Sequence, residues 1–194
     1  MGHSQADKAE SHDRIVRAAA ARFREAGVHG IGVDDLMKEA GLSHGGFYRH
    51  FPSRDDLVAE AVERALHDGA KRAVDTVANS KLSKRALLVA LIDWYLGTAH
   101  RDNLATSCAV TTLAGDVAHS NDRARAAYTR QVGTYLELLT KLIEDDNQKD
   151  GHSKAILALS TLVGAVSMAR AVNDKQLSQE ILNSAADELK ACLS

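Results

Sequence analysis

The chain has 194 residues, of which 45% are hydrophobic and 26% charged, with a formal net charge of −2; this is the composition of an ordinary globular protein with room for one large or two small domains. A single proline, 4% aromatic residues and abundant alanine favour helix, because alanine costs least in a helix and proline breaks it. No apolar N-terminus reads as a signal peptide and no segment approaches the roughly 20 apolar residues of a membrane span. Cys108 and Cys192 lie far apart without metal spacing, so a cytoplasmic chain with reduced thiols is expected.

Residues 1–10 are polar and read as a frayed end. A first helix is expected over about Ser11–Ala26, with Ile15, Ala19, Phe23 and Ala26 on one stripe and Gly27 as its stop. Val33, Leu36, Met37 and Ala40 recur at helical spacing in the next element. Gly41 ends it, since glycine adopts the left-handed conformation without a Cβ clash. Leu42 plugs the turn, and Ser43 is placed to cap a second short helix. Phe47 and Phe51, four apart, anchor that helix inward and leave His44, Tyr48, Arg49 and His50 facing out. A helix, a glycine turn and a capped second helix form the helix-turn-helix pattern, whose second helix enters the DNA major groove.

Pro52 breaks the chain and Ser53 caps a long helix from Arg54 to about Val77, with Asp55 and Asp56 suiting the positive end of its dipole. Asn79–Ser83 reads as a loop. A helix over about Ser83–His100 carries Leu87, Leu88, Leu91, Ile92, Trp94, Tyr95 and Leu96, an apolar surface wide enough to predict burial on most sides. Next come a less regular helix over Asn103–Ala118, an amphipathic one over Asn121–Asp146, a polar loop at Asn147–Gly151 and two closing helices, Ser153–Val172 and Lys175–Leu193. The sum is an all-α chain of about nine helices. Charge is distributed weakly but consistently with a DNA-facing head: residues 1–54 hold eight Lys/Arg against seven Asp/Glu and five of the nine histidines, and the remainder is net acidic.

The chain resembles, in outline over its whole length and most specifically over residues 11–57, the TetR family of bacterial transcription regulators. Ile15, Ala18, Ala19, Phe23 and Gly27 match its first helix. Val33, Leu36, Ala40 and Gly41 match its second. Ser43, Gly45, Phe47, Tyr48, His50 and Phe51 match its recognition helix, and Pro52, Ser53 and Arg54 match the start of its fourth. The resemblance implies a DNA-binding domain at 1–54 and a helical effector-binding and dimerisation domain at 55–194. It implies phosphate contacts by Tyr48, His50 and Arg54 and places His44, Gly46 and Arg49, beside Gly45, where the family reads base edges. Two departures stand out: His44 and Gly46 replace residues that are usually Lys-like and Thr or Ser, and Gly32 replaces a usual Thr/Ser cap. Backbone approach and DNA shape therefore gain weight over side-chain readout.

In the body the resemblance implies an effector cavity, with Trp94, Tyr95, Cys108, Thr111, Thr112, Tyr128 and Tyr135 as lining residues that give a mostly apolar ligand a few polar handles. Simple core packing is the plainer reading of each of these residues alone. Cys108 would sense oxidants or electrophiles only if exposed with a stabilised thiolate; a buried free cysteine is ordinarily inert. The last two helices, with the small residues Gly164, Ala165, Ser167 and Ala171, are expected to pair with their symmetry mates in a homodimer, which two DNA heads need in order to meet successive major-groove faces. Scattered histidines, and the lack of a Walker loop, a dinucleotide fingerprint, His-Glu-x-x-His or Gly-x-Ser-x-Gly, argue against an enzyme and call for no metal or cofactor. The expected function is a ligand-responsive repressor that leaves its operator when a small molecule binds. The alternative is a DNA-binding protein whose body takes a protein partner.

Overall fold

The computed structural model describes residues 5–144 and 150–193, within which ten α-helices and one 3-10 segment account for the regular structure. Helix α1 spans Gln5–Ala26 and begins one and a half turns before the expected start. Ile15, Val16, Ala19, Ala20 and Phe23 form its buried stripe, Ala26 is left exposed, and Gly27 ends it at φ +74°. Helix α2, Val33–Glu39, buries Leu36 and Met37. Its end is a Schellman turn: Leu42 N–H donates to the Met37 carbonyl at 2.8 Å and Gly41 N–H to Lys38 at 3.0 Å, with Gly41 at φ +73°.

The second half of the motif, His44–Arg49, is 3-10 rather than α-helix. Ser43 occupies the cap position but its hydroxyl caps nothing, so the expected α-type cap bond is absent. The segment is too short to recover a 3.6-residue repeat, and the stacked pair Phe47 and Phe51, with ring centroids 5.5 Å apart, fixes it from below. Both rings are buried.

Helix α3, Arg54–Ala78, is capped by the Ser53 hydroxyl, which accepts from Asp56 N–H. It packs on both α1 and the later helix Asp122–Ile143, whose start reaches the first turns of α3 through Asn121–Asp55 and Arg123–Glu63, so the helix that begins at residue 54 is common to head and body. Helix α4 is shorter than expected, Lys84–Tyr95, capped by Ser83. It breaks at Leu96–Gly97, and α5 (Thr98–Asp102), α6 (Ala109–Thr112) and α7 (Ala114–Ala118) are short pieces replacing one irregular helix. Nor is α4 buried on most sides: Trp94 is 62% exposed, because it and Leu91 face a cavity rather than a packed neighbour. Helix α8, Asp122–Ile143, α9, Gly151–Ala171, and α10, Lys175–Cys192, complete the body; most of the loop expected at 147–151 lies outside the described residues.

Among the described residues α9 is the one helix long and apolar enough, by length and composition, to cross a membrane. Its inner face, including Ala155, Ala158, Leu162, Ala165 and Val166, packs against α8 and α10. Ala165 therefore belongs to the core of its own chain. Ile156, Leu157, Gly164, Ser167 and Met168 point away from it, and a Cβ on Gly164 would meet nothing within 4 Å.

Gly41→Ala is expected to cost about 1–2 kcal/mol through its positive φ, read as a lower urea midpoint. Gly46→Ala, whose Cβ would meet Met37 Cε at an ordinary 3.6 Å and Ser43 Oγ at 4.0 Å, should leave the midpoint within experimental error.

Candidate DNA-binding head and ligand cavity

The outward side of the helix-turn-helix carries His44, Gly45, Tyr48 and Arg49, all exposed, with Tyr48 at 74%. Gly45 has open space where a Cβ would be, and Gly46 is covered only by Met37 and Ser43. His44 Nδ1 pairs with Asp34 Oδ1 of α2, which sequence reasoning did not anticipate. His50 is half-buried: its Nδ1 is buried without a partner, and its ring lies 6.1 Å from that of His12. Burial, then the charges of His12, Lys8 and Arg49, lower its pKa. His12 in turn stacks on Phe51 at 4.4 Å and bonds Glu60 at 2.6 Å. Arg54 points inward, donating to the carbonyls of Val28 (2.5 Å) and Ile31 (3.4 Å). It thereby ties the α1–α2 turn to the start of α3.

The body holds a cavity of about 380 Å³ between α3, α4, α8 and α9, within the size range of small-molecule sites. Trp94, Tyr95, Cys108 and Tyr135 line it, together with Gly69, Arg72, Thr106 and a run of leucines. Thr111, Thr112 and Tyr128 stand behind the wall. Thr111 Oγ1 bonds the Tyr95 hydroxyl at 2.6 Å, the Thr112 hydroxyl donates to the Cys108 carbonyl, and Tyr128 donates to the Val110 carbonyl at 2.8 Å. Cys108 is buried, its sulfur 3.9 Å from the Tyr135 hydroxyl. Burial raises the pKa of both Tyr95 and Tyr135, so both present neutral hydroxyls.

The irregular stretch from Leu96 to Ala118 forms one end of this cavity. It cannot satisfy its own backbone as a continuous helix would, and buried polar side chains do so instead. His100 Nδ1–H donates to the Tyr95 carbonyl at 2.7 Å, which fixes the tautomer. Its Nε2 then accepts from Cys108 N–H and from the Ser107 hydroxyl, each at 3.1 Å. Burial lowers the His100 pKa and keeps the ring neutral. Arg170 of α9 donates to the carbonyls of His100 and Arg101 and to the Ser107 hydroxyl at 2.6–2.9 Å. On the other side the same stretch holds the head: Arg24 Nε donates to the Ala105 carbonyl at 2.7 Å, and Asp116 Oδ1 accepts from Val28 N–H at 3.3 Å.

Sequence reasoning missed Arg24, Asp116, His100, Arg170 and Arg72. The first two meet partners 81 and 88 positions away and leave no local signal. Gly69 did leave one, a glycine inside a helical pattern: a Cβ there would stand 3.1 Å from the Tyr135 hydroxyl.

An exposed second helix on a Schellman turn, stacked aromatics beneath it and a separate cavity-bearing helical body define a helix-turn-helix transcription regulator. The family model described as bacterial regulatory proteins, tetR family, matches residues 15–61, so the head is that of a TetR-family regulator. An uncharacterized HTH-type transcriptional regulator of Mycobacterium tuberculosis is 29% identical over 84% of this chain and 85% of its own length. The HTH-type transcriptional repressor KstR2 of Rhodococcus jostii is 28% identical over 74% of this chain and 68% of its own. Among solved structures, reduced Escherichia coli NemR superposes with a TM-score of 0.78 at 18% identity, covering 93% of this chain and 95% of that one. A TetR regulator from Chloroflexus aurantiacus superposes with 0.75 at 24%, covering 96% of each.

The His100 arrangement predicts a pH dependence. Its folded pKa lies below the usual 6.5, so the unfolded chain takes up the proton first. The stabilisation is complete above about pH 6.5 and declines as pH falls from there through the depressed folded value. Thermal midpoints between pH 7.5 and 5 should fall less steeply in His100→Gln than in the natural chain; equal slopes would contradict the assignment. Thr111→Val, which leaves the Tyr95 hydroxyl buried without its partner, should cost about 1–3 kcal/mol in denaturant unfolding.

Proposed function

We propose that the protein is a ligand-responsive repressor, acting as a homodimer in the cytoplasm, that releases its operator when a small molecule fills the body cavity. The observation that carries this reading is the stretch 96–118, which walls the cavity through Thr106 and Cys108 and seats the head through Ala105 and Asp116. A molecule that displaces the wall at Cys108 shifts the seat of α1 by the same movement. Packed interfaces of this kind switch between discrete arrangements rather than deforming smoothly. The effector must bind the DNA-incompatible arrangement more tightly, and a hundredfold loss of operator affinity needs a difference of about 2.7 kcal/mol. An apolar cavity with few polar groups suits a small ligand better than it suits a protein partner.

On the DNA, His44, Gly45, Gly46 and Arg49 face base edges, with Tyr48 against the backbone. Bare Gly45 and Gly46 allow close approach of the main chain. His50 is held partly beneath the surface by Phe51 and His12, and Arg54 acts by holding the α1–α2 turn. Both give the DNA face its shape rather than much of its charge. His44 must exchange its Asp34 partner for DNA, which makes Asp34 a brake on non-specific phosphate binding. The dimer forms through α9 and α10, whose outward Ile156, Leu157, Met168 and Leu177 are 43–55% exposed, an apolar face of the kind that marks an interface.

The test is a mobility shift with the promoter beside the protein's own gene. Specific, salt-sensitive binding is expected, released by one class of compound. His44→Ala with Tyr48→Ala should weaken operator binding at least a hundredfold while helicity and dimer mass are unchanged. Normal operator binding by that double variant would show that another element reads the DNA.

A further inference from the structure

The cavity is apolar along its length, walled by Leu87, Leu91, Leu139, Leu159 and Leu162. Its lining residues include a single charged side chain, Arg72. Arg72 has no ion-pair partner among the described residues. Its potential counter-charge, Asp68, is held by Arg64 Nε, with both carboxylate oxygens at 3.1 Å. A second guanidinium stands close by: Arg24 is half-buried, its Nη1 is buried without a partner, and the positive charge of Arg72 opposes its own. Asp68 and Glu25 offset the charge of Arg24 in part, which leaves Arg72, exposed at the edge of the apolar space, as a lining cation with no anion paired to it among the described residues. The hydroxyls of Tyr95 and Tyr135 remain neutral there and supply none.

From this charge imbalance we infer that the effector is an elongated aliphatic molecule ending in a carboxylate, its acid group at Arg72 and its chain among the leucines. The inference rests on the reading of the cavity as an effector site. The carboxylate supplies the missing anion to an exposed guanidinium at the edge of an apolar space, through hydrogen bonds that the charge on both partners strengthens. The planar guanidinium donates to both carboxylate oxygens at once. The chain replaces solvent against leucine, which favours binding in proportion to the area covered. The lining of α3 from Gly69 to Val77 runs about 12 Å at 1.5 Å per residue with Arg72 inside that span, so an aliphatic chain of medium length has apolar wall beside the guanidinium.

The test uses the full-length protein with decanoate and with decanol, which share a chain and differ in the anion. Trp94 lines the cavity and is the one tryptophan in the sequence, so its fluorescence reports occupancy directly. Decanoate should bind at least tenfold more tightly than decanol. Arg72→Gln should erase that difference while leaving decanol binding unchanged, which also shows that the variant is folded, and Arg72→Lys should keep most of it. Equal affinities in the natural protein, or undiminished decanoate binding in Arg72→Gln, would overturn the inference while leaving the cavity as a ligand site. No binding of either probe, with no compound releasing DNA, would overturn the inference and the effector reading together.

Discussion

The stretch between Leu96 and Ala118 has to satisfy its backbone without being a helix, and much of the architecture depends on how it does so. His100 bridges two points of the main chain, from Tyr95 to Cys108. Arg170 caps the carbonyls that α5 leaves free, and Arg24 takes the carbonyl of Ala105. Each of these partners comes from a different place: within the stretch itself, from α9 and from the head. A regular helix would have closed its hydrogen bonds internally and connected nothing. The irregularity makes this segment the common wall of three parts of the molecule.

That arrangement orders the energetics. Around Phe23, Met37, Phe47, Phe51 and Leu57 the head is fully packed, and a core this dense moves as a unit. The body has a dense region around Leu113, Leu162 and Leu182 and a cavity beside it. An empty apolar space forfeits packing contacts, and a ligand that fills it restores them. On the proposed reading, the soft part of the protein is where a ligand would come and go and the stiff part is where DNA would be met, with polar contacts between them. The charged cleft on the opposite side of α3, with the pairs Asp13–Arg64 and Arg123–Glu63, holds the head in place without reaching the cavity.

The fold was legible because helix signals are local. Gly27 and Gly41 stop their helices, Ser53, Ser83 and Asn121 cap theirs, and the Phe47/Phe51 spacing places both rings in the core. Where the reading failed, tertiary structure had overridden local pattern. His44–Arg49 looks α-helical by periodicity, but six residues anchored by two stacked rings settle into the tighter 3-10 coil. The apolar breadth of α4 suggested burial, yet the same surface is what a cavity needs for a wall. In the body, Trp94, Tyr95, Cys108 and Tyr135 converge on that cavity, while Thr111, Thr112 and Tyr128 support it from behind. A helical wheel does not separate the two groups, because the difference depends on which neighbour is missing. Arg24 looks like an ordinary solvated charge until the fold half-buries it near Arg72.

The coupling between cavity and head is the central claim, and it is tested most directly by breaking the two contacts that carry it. Operator affinity is measured by mobility shift with and without a releasing compound, in the natural protein and in Arg24→Ala combined with Asp116→Ala, with compound binding tracked by Trp94 fluorescence. The account predicts that the double variant still binds the compound and the operator, but that the compound no longer changes operator affinity. An undiminished release of DNA by the double variant would contradict it and place the coupling elsewhere, α3 being the remaining continuous connection.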